Sequence, residues 1–87
     1  MTEESVIEFP TEFPIKLMGR NTPEFPAIAR ALVETHAGAV SDDAVQTATS
    51  SNDRFVSVTV TITATSQQQL DAIYQDATDH EDVLMAL

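Results

Sequence analysis

From Arg54 to Thr65 apolar and hydroxyl side chains alternate without a break. Val56, Val58, Val60, Ile62 and Ala64 form one set, and Ser57, Thr59, Thr61 and Thr63 form the other. Successive side chains of a strand point to opposite faces, so the run is a strand with one dry face. Helices must cover the aliphatic side, while the hydroxyl side is left to water or to a partner. A second alternating run, Phe13 to Met18, sets Phe13, Ile15 and Leu17 against Pro14, Lys16 and Met18 and predicts a first strand, with the proline at its entrance and Gly19 turning the chain after it. Residues 44 to 49 read as a weaker strand suited to a sheet edge, and Val83 to Leu87 as a short last strand in which Val83, Met85 and Leu87 share a face.

Between the strands the period changes to three and four. Phe25, Ile28, Ala29, Leu32, Val33 and His36 line one face of a helix that begins after Thr22 and Pro23 and stops near Ala37, where Gly38 supplies a left-handed end. Pro26 would break an intrahelical bond if Thr22 were the cap, which moves the expected start toward Glu24. Leu70, Ile73, Tyr74 and Ala77 give the buried stripe of a second helix, opened by a Ser66 to Gln69 capping box and fading by Asp79 or His80. Asp76 and Asp79 stand at the wrong end of its dipole, at a cost of about 0.3 to 1 kcal/mol each. Ser50, Ser51, Asn52 and Asp53 are turn formers of the right number for a hairpin joining the two middle strands.

Strand, helix, strand, strand, helix, strand is a split pair of βαβ units. The fold class is α+β, a ferredoxin-like βαββαβ arrangement. Right-handed crossovers place both helices on one face of a four-stranded antiparallel sheet in the order 4-1-3-2. The Ser57, Thr59, Thr61, Thr63 face then has no helical cover. Residues 1–12, with Glu3, Glu4, Glu8, Glu12 and Pro10 and no periodicity, are expected to be a flexible acidic segment, whose Val6, Ile7 and Phe9 can still pin its second half. Residues 13–87 are one domain, with a stability of about 5 to 10 kcal/mol for its size.

Composition narrows the function mainly by exclusion. Fourteen acidic side chains against four basic ones give a net charge of -10, which repels nucleic-acid phosphate and anionic membrane surfaces. No cysteine is present, so a disulfide framework and a thiolate metal site are both excluded. The start MTEESVIEFP lacks the basic and apolar regions of a signal peptide, and no apolar run is long enough to span a bilayer. The expectation is a cytoplasmic protein with no cofactor and no membrane or nucleic-acid partner.

The run EFPTEFPIKLMG at residues 8 to 19, then Pro23, Glu24, His36 and Ala37, the serines before SVTVTITAT, and the closing Val83, Met85 and Leu87 resemble the YbeD family of small bacterial proteins. The likeness covers nearly the whole chain, from about Ile7 to Leu87. It implies a ferredoxin-like fold similar to ACT-type regulatory domains, such as the one that senses serine in phosphoglycerate dehydrogenases. By association it also implies a link to lipoate or glycine metabolism, and it delivers no activity.

Candidate chemistry is sparse. His36 in the last turn of its helix is expected to face the C-terminal carbonyls, and His80 with Glu81 and Asp82 offers a metal too few ligands. The serine and threonine hydroxyls have no evident base beside them, and two glycines cannot build a phosphate loop, so no enzyme is expected. Asp42 and Asp43 lack the pattern of a calcium loop. The sharpest candidate is the corner of Gly19, Arg20, Asn21 and Thr22, where a helix start stands beside a cation and suits a carboxylate. ACT-like domains contact amino acids at the same junction. An RNA binder of this topology needs aromatic rings on the open sheet face, and the central strand offers only serine and threonine there.

Two functions follow. The first is a non-catalytic regulatory or adaptor module of bacterial metabolism that senses a small carboxylate metabolite such as an amino acid. The other is a protein-interaction domain without ligand, whose open face (Ser57, Thr59, Thr61, Thr63) or sheet edge binds a partner or a second copy as a homodimer.

Overall fold

The computed structural model describes residues 8–87. β3, Phe55–Ala64, is central, and its alternation is real: Val56, Val58, Val60, Ile62 and Ala64 are buried. β1, Thr11–Arg20, runs antiparallel beside it from the Thr11–Ala64 pair to the Arg20–Phe55 pair. β2, Val45–Thr49, covers the other side of β3, and β4, Val83–Ala86, the other side of β1, giving the order β2-β3-β1-β4. This is the expected sheet read from its other edge. The two strands with the driest faces occupy the centre because only there are both backbone edges paired.

β1 is longer than the alternation of residues 13–18 suggested. Thr11 and Glu12, counted with the flexible segment, already pair with Ala64 and Thr63, and Phe9 packs against the core. Residues 1–7 of that segment lie outside the described residues. Gly19 does not turn the chain: it sits in the strand opposite Val56, and the pairing of β1 with β4 shifts register between Met18 and Gly19. A Cβ at Gly19 would stand 2.4 Å from Phe25 Cε1 and 2.6 Å from the Asp82 carbonyl oxygen, so glycine serves here to let a ring and a backbone approach. The shift also breaks the expected alternation of the last strand. Val83 pairs with Gly19 on the core side, whereas Met85 pairs with Met18 on the open side.

α1, Phe25–Ala37, and α2, Gln67–Asp79, lie together on the aliphatic face of the sheet. Phe25, Ala29 and Val33 from the first and Leu70, Ile73 and Ala77 from the second close the core over Ile15, Leu17, Val58 and Val60. The conflict over Pro26 resolves at the helix start. Glu24 is the N-cap residue, so Pro26 falls in the first turn, where its missing N–H removes no helical bond. Thr22 still caps, its Oγ1 accepting the Phe25 N–H at 3.2 Å. Gly38, with φ of 80°, ends α1 and donates its N–H to Glu34 O at 2.9 Å.

At α2 half of the capping box forms as expected, with Gln69 N–H donating to Ser66 Oγ at 3.1 Å. The reciprocal half moves. Gln69 Oε1 accepts the Thr65 N–H at 2.8 Å, and its Nε2 donates to the His36 carbonyl at 3.1 Å, capping the end of the neighbouring helix.

Candidate functional site

The strand-to-helix corner comes together as a pocket of about 370 Å³. The four residues singled out there have different fates. Gly19 is buried in β1, and Asn21 is committed to the β2–β3 hairpin, its N–H donating to Arg54 O at 2.9 Å and its Nδ2 to Asp53 O at 3.0 Å. Thr22 caps Phe25. Arg20 alone keeps its side chain for a ligand, and no ion pair holds it among the described residues.

The amides expected to greet a carboxylate are mostly spent. Pro23 and Pro26 have none, and the Phe25 amide is bonded to Thr22. Across an apolar floor of Phe25, Ile28 and Leu84 the pocket carries Glu24, Glu81 and Asp82 against the single Arg20. Its charge therefore favours a cationic or zwitterionic guest over a simple anion. The sequence missed this because Glu81 and Asp82 stand at the far end of the chain, in the turn before β4.

The open sheet face is as predicted in β3: Ser57, Thr59 and Thr61 are half-buried and Thr63 is exposed, with no described helix over them. Register adds what the hydroxyl pattern did not reveal. Lys16 lies opposite Thr59, Met18 opposite Ser57 and Met85, and Phe55 opposite Arg20. The central strand thus contributes an aromatic ring to this face, correcting the expectation of serine and threonine alone. The parity was legible, since Phe55 is two residues before Ser57. Met18, Phe55, Ala48 and Ser57 surround a shallow depression of about 170 Å³. At the edge, Leu84, Met85 and Leu87 are among the most exposed large apolar side chains, at 49%, 50% and 59%.

The histidines are structural ties. His36 Nε2 meets Asp76 Oδ2 across the two helices, in place of the C-terminal carbonyls expected for it, and this gives Asp76 the reason its helix position lacked. His80 Nδ1 accepts the Asp82 N–H at 3.1 Å in the turn that leads into β4. No group of three or more metal-ligating side chains gathers among the described residues.

Arg30 binds Asp42 Oδ1 at 2.7 Å, Glu34 Oε2 at 3.3 Å and the Val40 carbonyl, fastening the loop after α1 to the helix. The Val40 N–H on Glu34, with Arg30 adding to it, holds that carboxyl below the usual glutamate range. Burial pushes the Tyr74 hydroxyl up, and it donates to the Leu87 carbonyl at 3.0 Å, tying α2 to the residue after β4. No described helix is long and apolar enough to cross a membrane.

A family model described as a protein of unknown function (DUF493) matches residues 4–87. A UPF0250 protein of Nitrosomonas europaea is 44% identical over 87 residues, spanning 100% of both chains. One from Chromobacterium violaceum is 42% identical over 98% of this chain and 96% of its own. The solution structure of protein HP0495 from H. pylori has a TM-score of 0.74, covering 99% of this chain and 90% of that one. At 18% identity that likeness speaks for the ferredoxin-like fold alone.

Proposed function

The chain belongs to the DUF493 family, the YbeD-type UPF0250 proteins of bacteria, and from that premise we propose that it is a non-catalytic adaptor that presents a sheet face and an edge strand to another protein. The observation that carries this reading is the exposure of Leu84 and Met85 in β4 and of Leu87 just after it. Single exposed apolar residues are ordinary, but Met85 pairs with Met18 and Leu87 with Lys16 on a sheet face that no described helix covers, while Leu84 lines the adjoining corner pocket, and such continuity marks an interaction surface. Neither histidine is free to serve the hydroxyls nearby as a base, because both are engaged in holding helices and turns. A photo-crosslinking side chain at position 85 is expected to trap one discrete polypeptide in the native host, while the same group at Thr35 on α1 traps none. Identical, diffuse labelling from both positions counts against the adaptor.

A second reading is favoured by the corner pocket. There an amino acid can set its carboxylate on Arg20 and its ammonium group on Glu24, Glu81 or Asp82, which is the regulatory, ACT-like role in bacterial metabolism that the family resemblance suggests. Thermal-shift measurement with a panel of amino acids tests it: one of them raises the Tm, and Arg20→Ala removes the rise. A panel with no effect at millimolar concentration discards the sensor and leaves the adaptor standing.

A further inference from the structure

β4 is an edge without charge. Val83, Leu84, Met85 and Ala86 carry no ionisable side chain, and no described strand flanks β4 on its outer side. Leu87 exchanges both backbone bonds with Lys16, at 3.1 and 2.8 Å. Antiparallel alternation therefore turns the N–H and C=O groups of Ala86 away from the sheet, as far as the register shift at Leu84. Natural edges are usually blunted by lysine, proline or a bulge, and here only the shift at Met18/Gly19 and the strand's four residues do so. Leu84 is also a wall of the corner pocket, so the open backbone leads directly to Glu24, Glu81 and Asp82.

We propose that β4 and the corner pocket together receive a basic extended segment of another protein, which adds a strand beside β4 and seats a lysine or arginine side chain among the three carboxylates. The inference rests on the adaptor reading and names the partner's chemistry. Its backbone supplies the bonds that Ala86 lacks, and its alternate side chains meet the exposed Met85 and Leu87. The stem of the basic side chain lies on Phe25, Ile28 and Leu84 while its head reaches the acids. A second copy is disfavoured as occupant because each brings a net charge of -10, which draws a basic segment in and pushes another acidic chain away.

The test is an NMR titration of the whole chain with two capped synthetic peptides of alternating valine and threonine, one ending in lysines and its twin in glutamates. The lysine peptide is expected to shift the amides of Leu84 to Leu87 and to bind at least about tenfold more tightly than the twin, with added salt narrowing the gap. The double variant Glu81→Gln with Asp82→Asn is expected to bring the two peptides close to parity. Equal binding of the twins to the native chain, or silence with the lysine peptide at millimolar concentration, overturns the inference. Shifts confined to Ser57–Thr63 also overturn it, but they leave an adaptor that works through its open face.

Discussion

A single position on β3 decides between core and surface. Val58 is fully buried between the helices and the sheet, whereas Thr59, next in line, is half-buried on the open face opposite Lys16 and Gln46. Val58→Asp puts an unpaired charge among aliphatic neighbours and is expected to cost about 3 kcal/mol or more, enough to unfold much of the population. Thr59→Asp gains Lys16 as a cross-strand partner and is expected to stay within about 1 kcal/mol of the parent. Urea unfolding of both variants checks the difference, and equal midpoints would mean that the hydroxyl face is covered in solution. The faces of β3 were plain in the sequence because their period of two needs no knowledge of the rest of the chain. Gly19 was not, because what forbids a side chain there is Phe25 across the fold and the backbone of Asp82.

At the level of elements, the sequence shows what is local and hides what is shared. Helix ends, the hairpin of Ser50 to Asp53 and the Ser66 cap are written in neighbouring residues. The ties between elements are not. His36 to Asp76, Gln69 to the end of α1 and Asn21 to the hairpin all join residues far apart in the chain, and only the assembled fold brings them into reach. Asp76 looked misplaced for that reason.

The clasp of Arg30, Glu34 and Asp42 on the loop after α1 is of the same kind, and it gives stability a dependence on acid. Glu34 is held below the usual glutamate range chiefly by the Val40 N–H, so its contribution is complete above the unfolded value and is lost as pH falls through the lower folded one. A carboxyl titration by NMR should place the Glu34 midpoint below that of the same residue in the urea-unfolded chain. Glu34→Gln should flatten the fall of Tm between about pH 5 and 3. Coincident midpoints in the folded and unfolded chain would rule the clasp out as the source.

Over the whole molecule, charge is sorted by layer. From Glu24 onward the carboxylates, Asp53 in the hairpin apart, stand on the helices or on the loops at their ends, while the open sheet face carries Lys16 with Glu12. The net charge of -10 still governs long-range encounter, and Phe55 is one ring where base stacking needs several. No binding to duplex DNA or single-stranded RNA is therefore expected by fluorescence anisotropy at physiological salt, and micromolar, salt-sensitive binding would refute the argument. The central place of β1 has a further consequence for biosynthesis. It is made before β3 and β4, yet one of its edges waits for Phe55–Ala64 and the other for Val83–Ala86. A nascent chain halted anywhere between those two strands exposes a bare, aliphatic strand edge on the ribosome, so slow codons late in the message would be paid for in aggregation or in demand for chaperones.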